Sequence, residues 1–213
     1  MKGSLMKKMA VVLIALSLFA AGCSDEALTG ANSNTQDLYT TAAFTQSDMD
    51  VTYSLPKVTA PLTGSLTPEE QAGLVFMREE EKVARDVYIK MAEKWNTQVF
   101  KNILKSEQVH MNSIKILLTR YNITDPVVDN TVGVFTNPEL QEMYNALIER
   151  GNISAVEALR VGKDIEAEDI SDLDNQLQNV AVNADLVRVY NNLKRASNFH
   201  LNAFNYWLSQ SSK

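Results

Sequence analysis

One cysteine and two histidines stand in a chain of 213 residues. The lone cysteine excludes an internal disulfide framework and any cysteine-based metal cluster. Basic residues are in deficit, with 20 Lys and Arg against 26 Asp and Glu, a net charge of −6. Contacts to phosphate need Lys and Arg, so nucleic acid is excluded as a partner. Long apolar runs are missing too. The longest, "MAVVLIALSLFAA" near the front, falls short of the ~20 residues that span a bilayer. From residue 66 onward nothing reads as a pair of strands.

The front of the chain is layered: "MKGSLMKK" is basic, the apolar run follows, and "GC" closes it. That layout predicts a secretory signal over residues 1–22. The residues "LFAAGCSDE" resemble a bacterial lipobox. The resemblance implies cleavage before Cys23, diacylation of its sulfur, and a lipid anchor holding the protein to a membrane of the bacterial cell envelope, with its folded part outside the cytoplasm. The alternative is ordinary cleavage that leaves a free thiol. Losing Lys2, Lys7 and Lys8 with the leader takes the net charge from −6 to −9. Residues 23–65 are rich in Ser, Thr, Asn, Gln and Asp without a sustained period, which predicts a flexible tether. As a coil it spans on the order of 35–40 Å.

The remainder, 66–210, is punctuated as helices. In "TPEE", Thr67 is an N-cap, Pro68 takes the first helical position and Glu70 closes a capping box. Asn96 or Thr97 opens a second helix that runs to about Tyr121. The segment 122–136, "NITDPVVDNTVGVFT", is a loop. A short helix follows, with Asn137 as cap, Pro138 at its first position and Gly151 as stop. Ser154 and Glu157 repeat the capping-box signature, and a last helix starts at Asn183.

Positions spaced alternately by three and four show which faces turn inward. The first long helix gives Leu74, Met77, Glu81, Ala84, Tyr88, Met91, Trp95, and the second Phe100, Ile103, Glu107, His110, Ile114, Leu117, Tyr121. The third gives Ala155, Leu159, Gly162, Glu166, Asp169, Leu173, Leu177, Val180, and the fourth Leu186, Val189, Leu193, Ala196, His200, Ala203, Trp207. Each stripe is apolar except near its middle, where it carries ionisable groups. A buried unpaired carboxylate loses its hydration and needs compensation. Four such breaks, holding both histidines, predict groups that meet at one site. A pair of divalent metal ions would neutralise them. The donors suit iron or manganese, with zinc also allowed. Glu79 and Glu80 compete with Glu81 as the first helix's carboxylate, and Glu80 also lies on an apolar stripe with Phe76, Val83 and Val87.

Short connections join the long helices within each half, and one crossover of about thirty residues carrying the short helix joins the halves. That order predicts an all-α, ferritin-like four-helix bundle. "EKVARDVY" at 81–88 resembles the first-helix motif of rubrerythrins, and "SEQVH" at 106–110 resembles the Glu-x-x-His of a second ferritin-like helix. With "FMREEEKVARDVY", "GVFTNPELQ", "DIEAEDISDL" and "NFHLNAF", the folded part resembles the ferritin-like family catalogued as domain of unknown function 2202. The resemblance implies metal ligands at Glu81, Glu107, His110, Glu166 and His200, with Asp169 in the place of a further carboxylate. On that pattern Glu107 and Glu166 bridge, the histidines cap one ion each, and Glu81 and Asp169 are terminal. One departure stands out. In "SNFH", Ser197 occupies a position where the superfamily has a carboxylate, which implies an asymmetric site with a weaker second ion.

Tyr88, Tyr121, Trp95 and Trp207 read as core or bundle-end residues, and Arg85 and Arg195 as surface or supporting charges. The acidic run 164–174 reads partly as a solvated face. Three function classes follow: a redox enzyme acting on dioxygen or peroxide, a metal-binding module without turnover, and a structural domain with a decayed site. Without rubredoxin-type cysteine pairs, the first needs an external electron donor. A tethered chain is ill suited to a closed storage cage, whereas a homodimer is compatible with it.

Overall fold

The structure, a computed structural model, describes residues 64–180 and 183–211. The expected leader, Cys23 and the tether as far as residue 63 lie outside the described residues. Five helices and no strand make up those that are described: α1 (Pro68–Trp95), α2 (Gln98–Arg120), α3 (Pro138–Gly151), α4 (Ala155–Asn179) and α5 (Ala184–Ser211). None of these helices is long and apolar enough to cross a membrane.

Local chemistry sets most of the helix ends. Thr67 Oγ1 accepts from the Glu70 backbone N–H at 3.2 Å, and the Glu70 carboxylate accepts from Thr67 N–H at 2.8 Å, so the capping box is complete. α1 stops at Asn96, which takes the left-handed conformation with φ 53°. Thr97 caps α2 without a side-chain hydrogen bond. Asn137 accepts from Glu139 N–H, and Asn183 Oδ1 accepts from the N–H groups of Asp185 and Leu186. Two expected ends differ. Ser154 accepts from Glu157 N–H, but the Glu157 carboxylate turns to Arg150 and Arg160, so half of the second capping box forms. Gly151 is the last residue of α3 without a left-handed turn, and what its missing side chain provides is room for packing: a Cβ there would lie 2.6 Å from Met91 Sδ.

α1 packs along α2, and α4 along α5. The two pairs meet through α1 with α4 and α2 with α5, while α3 lies against α1 and α4. On one side of the polar breaks Leu74, Met77, Ile114, Leu117, Leu173 and Leu193 form an apolar layer. On the other, the rings of Tyr88, Phe100 and Phe204 meet with centroids 5.5–5.9 Å apart. Each fully buried side chain of this kind contributes about 1.5–3 kcal/mol. The two layers therefore hold the four polar mid-helix positions at one level. At the far end Trp207 is 37% exposed, so its stripe leaves the core before the helix stops.

α1 differs from its sequence reading on its other faces. Every residue from Met77 to Tyr88 is buried, because the 122–136 loop lies over its polar side. Arg78 makes a two-pronged bond to Asp125 at 3.0 and 3.1 Å. The Glu79 carboxylate accepts from Thr136 N–H at 2.7 Å. Lys82 donates to Asp86 and to the Thr131 carbonyl, with its ammonium 4.4 Å from the centre of the Phe135 ring. Arg85 is no surface charge: it donates to Asp86, Gln108 and Asn130. Arg195 remains exposed.

Candidate metal centre

Five of the six expected site residues come together as two trios that share a member. Glu81 from α1 joins Glu107 and His110 from α2, and Glu107 joins Glu166 from α4 and His200 from α5. Within each trio the nearest donor atoms lie within 4.8 Å of one another, and all five residues are buried. His110 Nδ1 is 3.2 Å from Glu81 Oε2 and 2.9 Å from Glu107 Oε2. His200 Nδ1 is 2.9 Å from Glu107 Oε1 and 3.3 Å from Glu166 Oε2. Glu107 thus turns one oxygen to each imidazole. The two rings stack with centroids 5.6 Å apart.

One ring nitrogen carries at most one hydrogen, and that hydrogen serves one acceptor well. Here each Nδ1 faces two carboxylates. Glu81 Oε1 and Glu107 Oε1 have no hydrogen-bond partner, although the latter is at ion-pair distance from His200. Such an arrangement is held either by protons on the imidazoles or by cations between the donors.

The proton balance follows from burial and charge. Burial pushes the Glu81 carboxyl up to about 7, with His110 opposing it. Burial and the charge of Glu107 raise Glu166 as well. Burial also works against ionisation of Glu107, but the two histidines outweigh it and hold that carboxyl well below the usual range. Burial opposes a proton on His200, yet Glu107 and Glu166 prevail and push it up to about 10. His110 is raised for the same reason, by Glu107 and Glu81. Carboxylate oxygens and imidazole nitrogens in this arrangement form a donor set that fits a divalent transition-metal ion.

Asp169, the sixth expected residue, lies outside both trios but beside them. It is buried, its Oδ1 has no hydrogen-bond partner, and Glu81 and Glu166 add to burial in raising its pKa. Ser197 is fully buried and within hydrogen-bond reach of Asp169, while its hydroxyl donates to the Leu193 carbonyl at 3.0 Å. Of the three neighbouring glutamates on α1, Glu81 is the one that meets His110, while Glu79 turns to Thr136. Glu80 is buried too, but it faces Asp172 and Asp169.

Tyr88 stands closer to the site than its sequence position suggests. Its hydroxyl donates to Glu166 Oε1 at 2.6 Å, and it is fully buried. No spacing rule could have found this bond, because the partners are 78 residues apart. The inward turn of Glu80 agrees with its stripe beside Phe76, Val83 and Val87, whereas the burial of Asp172 was missed. The run "DIEAEDISDL" offers too many acids for periodicity to choose among them.

Comparison with known proteins agrees with this helical description. A protein described as "Uncharacterized protein MJ0754", from Methanocaldococcus jannaschii, is 50% identical over 139 residues, which is 65% of this chain and 75% of that protein. The crystal structure of hypothetical protein MJ0754 matches with a TM-score of 0.71 at 44% identity, over 73% of this chain and 88% of that one. Residues 70–212 match the family described as "Uncharacterized protein domain (DUF2202)", and the chain belongs to that family.

Proposed function

We propose that this is a ferritin-like metal protein of the cell envelope, whose two trios bind iron or manganese ions. The observation that carries this reading is that each histidine aims one nitrogen at two buried carboxylates while Glu107 serves both groups. Glu81, Glu107 and His110 would hold one ion, and Glu107, Glu166 and His200 the other. Asp169 supplies a fourth carboxylate beside them, and four carboxylates offset the charge of two divalent cations. The bound ions would supply redox chemistry on dioxygen or peroxide, with electrons from an external donor.

The chain's own residues bind, orient and exclude water. Burial of all five trio members keeps bulk water from the donors. Tyr88 fixes the orientation of Glu166. His110 and His200 would each lose a ring proton on binding a cation. The alternative is a metal-binding or structural module without turnover. Ser197 favours it, because serine is a poor ligand where a carboxylate would complete the second half.

Metal analysis of the full chain, purified without a histidine tag or chelators, tests the reading. Wild type is expected to hold one to two iron or manganese ions per chain, and Glu107→Ala close to none, since its side chain belongs to both trios. A wild type that takes up neither metal refutes the proposal and leaves the structural module. The envelope location rests on "AAGC" and the polar tether after it. Cys23→Ala should move the protein from the membrane fraction to the soluble one, and a variant that stays with the membrane would refute anchoring through Cys23.

A further inference from the structure

The two histidines of the trios are held differently on their outer edges. Each turns Nδ1 to a pair of buried carboxylates. The other ring nitrogen of His110, Nε2, lies 3.5 Å from Ser106 Oγ, one turn back on α2. The matching place on α5, four residues before His200, is Ala196, whose side chain offers neither donor nor acceptor. His110 is also the better covered of the two, with 5% of its side chain exposed against 11% for His200.

Ser106 departs from the habit of hydroxyls in these helices. Ser113, Thr119 and Ser197 each donate to the carbonyl four residues back, at 2.9–3.0 Å. That carbonyl is a common local outlet for a hydroxyl inside a helix. Among the described residues Ser106 makes no such bond, and its hydroxyl meets His110, four residues ahead. The contact is at the long end of the hydrogen-bond range.

An imidazole that binds a metal uses one ring nitrogen as ligand and carries its hydrogen on the other. Donating that hydrogen to an oxygen fixes the tautomer and the angle of the ring, and makes the ligand nitrogen a stronger base. Since Nδ1 of His110 faces Glu81 and Glu107, the hydrogen belongs on Nε2, where Ser106 Oγ is the acceptor within reach.

We propose that Ser106 is a positioning residue for His110, and that it makes the trio of Glu81, Glu107 and His110 the tighter of the two cation sites. This inference rests on the metal reading of the trios. Ser106 holds the ring so that Nδ1 faces the place shared with Glu81 and Glu107. Ala196 cannot do the same for His200.

The test is Co(II) binding to the metal-free full chain, followed by visible absorption against a competing chelator and by proton NMR of the loaded protein. Bound Co(II) shifts the ring N–H of each ligating histidine out of the ordinary spectrum, so its exchange with heavy water can be timed. Wild type, Ser106→Ala, Ser106→Thr and Ala196→Ser are compared. In wild type the first equivalent should bring up one ring N–H that exchanges slowly. Ser106→Ala should bind that equivalent roughly tenfold more weakly, the low end of what a lost outer contact costs a metal site, and its ring N–H should exchange faster. Ser106→Thr, which keeps the hydroxyl, should stay close to wild type in both. Ala196→Ser should tighten the second equivalent. An unchanged first affinity in Ser106→Ala overturns the proposal. So does a loss that Ser106→Thr shares, or one that leaves ring N–H exchange at the wild-type rate, since Ser106 would then act through the fold and not through His110. A wild type that binds no Co(II) at all refutes the metal reading itself, an outcome distinct from each of these.

Discussion

Glu166 shows how opposing contacts act on a single carboxyl inside a protein. Burial raises its pKa, and the neighbouring charge of Glu107 raises it further. Two contacts act the other way: His200 Nδ1 at 3.3 Å and the Tyr88 hydroxyl at 2.6 Å. Tyr88 is also one ring of the aromatic layer with Phe100 and Phe204, so its hydroxyl is fixed from behind. Tyr88→Phe keeps the ring and removes the donor. A hydrogen bond to a charged group contributes about 1.5–3 kcal/mol, and the abandoned oxygen has no water to replace it. The variant should lose that much unfolding free energy in urea, seen as a lower midpoint with an unchanged slope. A midpoint equal to wild type would mean that Glu166 is held without Tyr88. In the sequence Tyr88 reads as core, which is half of its role. The other half depends on a partner that only the fold brings near.

At the scale of the element, the helices were legible wherever short-range chemistry decides. Thr67 with Glu70, Asn137 before Pro138, and Asn183 are local devices, and the structure uses each of them. The apolar stripes were legible because 3.6-residue periodicity sorts inner from outer positions. α1 defeats that sorting. Its Arg78, Glu79, Lys82, Arg85 and Asp86 have the composition of a solvated face, yet the crossover loop covers them and each finds a partner. Asp86 is the hub of this polar layer. It is fully buried and accepts from Lys82, from Arg85 and from Gly133 N–H. Asp86→Ala would leave two buried cations facing each other without a counter-charge. Breaking a buried ion pair on one side costs about 3–5 kcal/mol, a large part of a domain's stability. Chemical denaturation should register a loss of that size, and amides of the 122–136 loop should exchange faster. A loss under 1 kcal/mol would show that the loop is held by its apolar contacts instead.

For the whole molecule, the arrangement of the halves matters more than any one contact. α1 and α2 contribute one carboxylate–histidine set, α4 and α5 another, and Glu107 belongs to both. The halves are not equivalent: Glu107 precedes His110 by three residues on α2, whereas Ser197 precedes His200 by three on α5, with Asp169 of α4 as its neighbour. The sequence displayed both the convergence and the asymmetry, since each stripe broke once and one motif lacked its acid. It could not display the place of Asp172, whose neighbour Glu80 lies on another helix. A cation bound in the trios would tie all four long helices together, and a ligand that binds only the folded state stabilises it by mass action. At free metal about 100-fold above the dissociation constant this amounts to about 2.7 kcal/mol, or roughly 5–10 °C in Tm for a domain of this size. Calorimetry with Fe(II) or Mn(II) under anaerobic conditions should show that rise for wild type as one cooperative transition. His200→Ala should keep part of it, because Glu81, Glu107 and His110 remain together. Glu107→Ala should lose nearly all of it. If neither metal moves the wild-type midpoint, the five residues form a buried proton-sharing network, and the metal reading gives way to a structural one.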